Sequence, residues 1–171
     1  MPKSALPTRR DFLKNTGKAA LAFSIVPRHV LGGAQFTAPS DEITRAVIGV
    51  GGMGQGHLGY TGARTLAVCD VDQKHLDEAL SRLEEGVTGY RDFREVLARE
   101  DIDVVHIATP PHWHGIISAE AARAGKDVWC EKPMTRTIGE GRKVVEAVQR
   151  HGAMFRLNTW FRIRGDFYGF G

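Results

Sequence analysis

Four short stretches of this 171-residue chain carry residue types that could do chemistry. The first is Gly49-Val50-Gly51-Gly52-Met53-Gly54, spaced as G-x-G-x-x-G. Chemistry needs those glycines: Gly49 for a tight turn, Gly51 so that backbone can approach a pyrophosphate, Gly54 so that a helix can pack closely on a strand. A phosphate would then sit on free N–H groups at a helix N-terminus, where the helix dipole favours anions. The second stretch ends in Asp70, 21 residues past Gly49, where a carboxylate would accept the hydroxyls of an adenosine ribose. The third is Ala108-Thr109-Pro110-Pro111-His112-Trp113-His114 and the fourth Cys130-Glu131-Lys132-Pro133. A lone glycine pattern is weak, but this one follows a strand pattern, opens a helix pattern and is answered by Asp70. The competing reading is a methyl-donor-binding enzyme, which shares the sheet and a Gly-rich first loop. Asp70 argues for NAD because a carboxylate repels a 2′-phosphate, while Arg64 and Lys74 nearby keep NADP open.

These stretches need a scaffold that brings strand ends together. Short β-branched runs at Arg45–Val50, Thr65–Asp70, Val87–Tyr90 (the weakest), Val104–Ala108, Asp127–Cys130 and Ala153–Leu157 alternate with helical patterns. The helical patterns cover Met53–Thr61, Gln73–Glu85, Asp92–Arg99, Gly115–Ala124 and Ile138–His151. Near-continuous apolar strands such as AVIGV and VVHIA suit a parallel sheet buried on both faces, joined by right-handed crossovers. The expected fold is therefore a three-layer α/β domain, a Rossmann-type doubly wound parallel sheet over residues 44–162 with strand order 3-2-1-4-5-6. Ligands of such sheets bind at the carboxyl ends of the strands, where the third and fourth stretches fall.

Composition is that of an ordinary globular domain, with 42% hydrophobic, 25% charged and 8% aromatic residues. The net charge of +3 is unevenly placed. Residues 1–34 hold six basic side chains (Lys3, Arg9, Arg10, Lys14, Lys18, Arg28) against Asp11, and the remainder is slightly acidic. The part that folds thus has no net positive charge to neutralise phosphates, which argues against a nucleic-acid partner. The apolar run Ala19–Val26 is too short to span a bilayer, so no stable membrane span is expected. Thr8-Arg9-Arg10-Asp11-Phe12-Leu13-Lys14, that apolar run, and Gly32-Gly33-Ala34 follow the order basic region, apolar region, cleavage site. Residues 1–34 read as a twin-arginine signal peptide, against an amphipathic helix with fortuitous arginines. Its partner would be the twin-arginine export machinery, its destination the periplasm, and residues 35–43 a polar linker.

GVGGMG, CDVD, IATPPHWH and EKP, in this order and spacing, resemble the glucose-fructose oxidoreductase, inositol dehydrogenase and rhizopine-catabolism (Gfo/Idh/MocA) family over residues 44 to about 162. The resemblance implies an NAD(P)-dependent oxidoreductase acting on a sugar or polyol, often with a tightly held cofactor. Carried over, Gly49, Gly51, Gly52, Met53 and Gly54 would cradle the pyrophosphate and Asp70 the ribose. Thr109, Pro110 and His112 would line the nicotinamide and its ribose, with Glu131 also on the cofactor side. Lys132 would lie beside the reacting carbinol, position it and move its proton. The bland alternative is that Lys132 only pairs with Glu131. Two departures bear on substrate: Asn158 stands where members commonly have Gly, near Trp160, and the family's C-terminal substrate domain would follow residues 163–171, which read as its truncated start. Its absence predicts an apolar patch on the face that domain would meet, with homo-oligomers expected to form through that missing domain. The alternatives to a dehydrogenase are redox-assisted glycoside cleavage with bound NAD and a non-catalytic nucleotide-binding fragment.

No metal site is expected. His112 and His114, read on a loop, lack two further ligands nearby. His106 reads as a satisfied sheet histidine, His57 and His75 lie on helices, and His151 closes the helix before Gly152. Cys69 and Cys130 would lie three strands apart, about 14 Å, beyond disulfide reach.

Overall fold

The computed structural model describes Ala38 and residues 41–160. The leader, its cleavage site, most of the linker and residues 163–171 lie outside the described residues. Within them the order is β1 (Thr44–Ile48), α1 (Gly52–Leu58), β2 (Arg64–Cys69), α2 (Gln73–Ser81), β3 (Thr88–Tyr90) and α3 (Phe93–Leu97). Then follow β4 (Val104–Ile107), α4 (Pro111–Arg123), β5 (Asp127–Glu131), α5 (Ile138–His151) and β6 (Phe155–Asn158). All strand pairs are parallel, in the order β3-β2-β1-β4-β5-β6. This is the doubly wound Rossmann topology. No helix among the described residues is long and apolar enough to cross a membrane.

Local chemistry sets the boundaries. Asp72 and Asp92 cap α2 and α3 by accepting the N–H groups of Lys74 and Arg94, and Thr137 and Glu140 form a reciprocal capping box on α5. Helix α5 ends after His151 because Gly152 adopts a left-handed φ of 67°. Helix α4 begins at Pro111, four residues before the sequence pattern predicts. Proline is preorganised for a first helical position, and Pro110 before it is extended (ψ 147°) as a residue preceding proline must be. His112 and His114 are therefore helical, not in a loop.

Strand alternation divides the core between the sheet faces. On one face Cys69, Ile48, Ile107 and Cys130 stand in register across β2, β1, β4 and β5, under α3 and α4. Both cysteines are buried and free, and burial pushes each thiol up to about 12. On the other face Val47 and Val68 pack with Leu76 and Ala79 of α2. The same row continues from Val47 through His106 and Trp129 to Arg156. There the apolar pattern stops. Beyond His57 and Tyr60, this stretch of β4–β6 forms the floor of a cleft of about 670 Å³. The cleft is lined by the aromatic rings of Tyr60, His106 and Trp129 and by the Arg156 guanidinium.

Candidate functional site

The turn after β1 is built by clashes that only glycine avoids. Gly49 has φ +85°, and a Cβ there would lie 2.6 Å from the Thr109 nitrogen. A Cβ at Gly54 would overlap the carbonyl oxygen of Gly49, which holds the start of α1 against the turn. Gly52 has open space above it, and Met53 is half exposed. The loop therefore presents backbone to the groove over the strand ends, with the α1 N-terminus beneath.

Asp70 follows β2 and faces this loop. Its Oδ2 accepts the Val50 N–H at 2.9 Å and its Oδ1 accepts the Asp72 N–H at 2.9 Å. Each oxygen so spends one of two acceptor positions, and each keeps one for a vicinal diol. The adjoining cleft, about 400 Å³, is lined by Gly49, Asp70, Arg91, Phe93, Thr109, Pro110, His112 and Trp113 among others. The structure thus brings together the glycine loop, Asp70 and the Thr109–His112 segment. Arg64 is not part of it: it opens β2 at the opposite end of the strand and pairs with Glu42. Arg91 is the guanidinium that lines the cleft, its Nη2 bonded to the Val71 carbonyl.

Lys132 is exposed at the end of β5, and no ion pair holds it among the described residues. The alternative, a Lys132–Glu131 pair, is not formed, and Glu131 is engaged otherwise. Glu131 is only 3% exposed and its Oε1 accepts from His57 Nε2 (2.9 Å) and Asn158 Nδ2, while Oε2 accepts the Lys132 backbone N–H at 3.2 Å. Asn158, expected among substrate contacts, is buried in this network. On the far side of Lys132, His114 Nδ1 meets the Pro133 carbonyl at 2.6 Å and its Nε2 the Thr109 carbonyl at 2.7 Å. His114 thereby ties the segment after β4 to the turn carrying Lys132.

His106 is buried but not satisfied, since its Nδ1 has no hydrogen-bond partner. Its ring stands 5.2 Å from Trp129 and 5.5 Å from His57, and burial, with Arg45 and His57 adding, pushes the imidazole down to about 3. Sequence reasoning missed His75. Its imidazole lies 3.3 Å from where a Gly51 Cβ would be and 3.7 Å from Asp70 Oδ2, beside both dinucleotide motifs. Its position one turn into the helix after Asp70 was the available signal.

The comparisons with known proteins agree with this geometry. Residues 43–159 match the Gfo/Idh/MocA family, described as an oxidoreductase family with an NAD-binding Rossmann fold. A glycosyl hydrolase family 109 protein of Shewanella baltica is 31% identical over 169 residues, covering 83% of this chain and 37% of the relative. The solved myo-inositol 2-dehydrogenase of Lactobacillus plantarum superposes with TM-score 0.66 at 26% identity, over 71% of this chain and 38% of that one. Scyllo-inositol dehydrogenase of Lactobacillus casei, solved with NAD(H) and scyllo-inositol, gives 0.65 at 28% identity, over 71% and 37%. The chain spans less than two-fifths of the length of these relatives. Fold, motif geometry and family match coincide over the same residues, and the chain belongs to the Gfo/Idh/MocA oxidoreductase family, of which it carries the NAD-binding Rossmann domain.

Proposed function

We propose that this domain serves an NAD-dependent oxidoreductase that removes hydride from a carbinol of a sugar or polyol. The observation that carries the reading is Lys132, exposed at the β5 end, whose neighbour Pro133 is linked through His114 to Thr109 on the wall of the groove in which Asp70 keeps two free acceptor positions. The residues present fit NAD: backbone of Gly51 and Gly52 for the pyrophosphate, Asp70 for the ribose diol, and Thr109, Pro110 and His112 along the nicotinamide end. Bound NAD would supply the hydride acceptor. Asp70 binds and orients, repelling a 2′-phosphate. Lys132 hydrogen-bonds the carbinol oxygen through Nζ and takes part in moving its proton. Holding the carbinol in reacting orientation needs a wall on each side of the ring, and this domain supplies one. The chain alone should therefore bind NADH, read by nicotinamide fluorescence, and leave polyols unoxidised. Absence of saturable binding up to millimolar NADH sinks the reading, and sugar-dependent NADH production by the chain alone sinks the one-wall argument.

The family 109 relative favours a second reading, in which the oxidation is transient. A keto group formed beside a C–H acidifies it, the glycosidic group leaves by elimination, water adds, and the ketone is reduced back. In the chain joined to a relative's C-terminal domain, glycoside cleavage with solvent deuterium at that carbon and no net NADH would select this reading. Net NADH without cleavage would select the dehydrogenase. The leader pattern supports a further proposal, export by the twin-arginine route. Changing Arg9 and Arg10 together to Lys should leave the precursor in the cytoplasm, because lysine does not reproduce the paired guanidinium geometry. Unchanged export would refute it.

A further inference from the structure

We propose that Glu131, His57 and Asn158 form a buried clamp that positions the Lys132 turn against the nicotinamide end of the site, so that Glu131 acts through Lys132 and does not touch the cofactor. This rests on the cofactor and Lys132 readings above. Three elements converge on one carboxylate: His57 from the last turn of α1, Glu131 from the end of β5 and Asn158 from the end of β6. His57, Glu131 and Asn158 are 1%, 3% and 5% exposed. The carboxylate accepts only, so His57 Nε2 carries the hydrogen of the 2.9 Å bond. Glu131 Oε1 has both acceptor positions filled by side chains, and Oε2 holds the Lys132 N–H.

The helix that carries His57 is the one opened by the glycine loop. One carboxylate therefore sets the height of the Lys132 backbone relative to the element beneath the pyrophosphate. The His114 ring lies between the next carbonyl, that of Pro133, and the Thr109 carbonyl, so the turn is packed from both ends. Because the Glu131 charge is already met by His57, Asn158 and a backbone N–H, it does not draw in the Lys132 ammonium, which stays exposed for the site. The polar Asn158 at a buried strand end is accounted for by the same network.

The test compares two ligands that share everything but the nicotinamide ring, NADH and ADP-ribose, on the full chain. Lys132→Ala sets the scale and should weaken NADH about fivefold while leaving ADP-ribose within about twofold. Asn158→Ala, which keeps the His57–Glu131 bond, should reproduce that selective loss, and the Lys132→Ala/Asn158→Ala double variant should be no weaker than Lys132→Ala alone. His57→Gln, whose amide can donate the same bond, should bind both ligands as the parent does. Glu131→Ala should lose NADH about tenfold or more, and if it fails to fold, the Asn158 variant and the double variant still decide. Equal loss of both ligands in Asn158→Ala would mean support of the glycine-loop helix only, and no loss, or a loss additive with Lys132→Ala, would mean no coupling to Lys132. Either overturns the clamp. A parent that binds neither ligand overturns the cofactor reading itself, and a silent Lys132→Ala overturns the clamp, whose effect on NADH must run through Lys132.

Discussion

The two halves of this sheet end in carboxylates with opposite fates. Asp70, after β2, is held by two backbone N–H groups and keeps an acceptor position on each oxygen. Glu131, at the end of β5, is enclosed and held chiefly by side chains from two other elements. The faces beside them differ likewise. Over β1 and β2, Val47 and Val68 are sealed by α2, whereas the continuation of that row over β4–β6 is His106, Trp129 and Arg156 at an open cleft. On the proposed reading, the difference separates two tasks. The first half would grip a ligand with backbone and one spare carboxylate, its side chains free to be apolar. The second half would aim a lysine, with polar side chains spent inside the fold to do so.

The largest test of this contrast is acid. His106 occupies the row position that valine holds on β1, and burial keeps it neutral with its value down at about 3. Above its ordinary value of about 6.5 both folded and unfolded forms are neutral and it contributes nothing. As pH falls below that, the unfolded chain takes up the proton first, so stability drops by about 1.4 kcal/mol per unit, on the order of 4–5 kcal/mol by pH 3. Asp92, held low by the Arg94 N–H, and Asp101, held low by the Arg99 guanidinium, lose their contributions only at lower pH. Urea unfolding between pH 6.5 and 5 should therefore show the His106 slope, and His106→Phe should flatten it. An unchanged slope in that variant would place the acid sensitivity elsewhere.

Within the first half, Gly54→Ala should be the most damaging small change. Its Cβ meets the backbone of Gly49 and neither side can retreat, so a loss of about 3 kcal/mol or more in unfolding free energy is expected. Gly51→Ala meets only the His75 imidazole, 44% exposed and able to give way, so its fold should survive while NADH affinity falls. Equal stabilities for the two variants would contradict the geometry of the turn.

Asp70→Ala sharpens the comparison of carboxylates. The proposed reading has this variant lose two charge-assisted bonds to the ribose diol, so NADH and ADP-ribose should both weaken about 50-fold or more, with relative preference moving toward NADP. The clamp around Glu131 predicts a loss confined to NADH. Parallel titrations of both ligands, with NADPH as the third, separate the two behaviours.

The strand order and the glycine turn were readable because each rests on a local rule: β-branched runs, alternation with helices, and positions where a Cβ has no room. Asp70 was readable for the same reason, since a fixed distance from the glycines puts it at the next strand end. What sequence could not show was long-range. His57, Glu131 and Asn158 are up to 101 positions apart and meet only because α1, β5 and β6 converge. Arg64 looked close to Asp70 by number, yet six residues of extended strand set it at the far end. The helical placement of His112 and His114 was missed because two prolines suggest a loop, although Pro111 suits a first helical turn.

The smallest expected effect concerns the open half-face. The Arg156 guanidinium lies 4.9 Å from the centre of the Trp129 ring, itself in tilted contact with His106 and Tyr60. Arg156 is exposed, so its cation–π contact is worth about 0.5–1 kcal/mol, and Arg156→Ala should lower unfolding free energy by no more than that. The change should also leave NADH binding untouched, because Arg156 lines the β4–β6 cleft and not the groove over the glycine loop. Arg156→Lys should keep most of the stability, since an ammonium also sits over an aromatic face, whereas a lost hydrogen bond of guanidinium geometry would not be recovered by lysine. A loss above about 2 kcal/mol in Arg156→Ala would mean that this face is sealed as tightly as its counterpart over β1 and β2, and the contrast between the halves would fail at the level of packing.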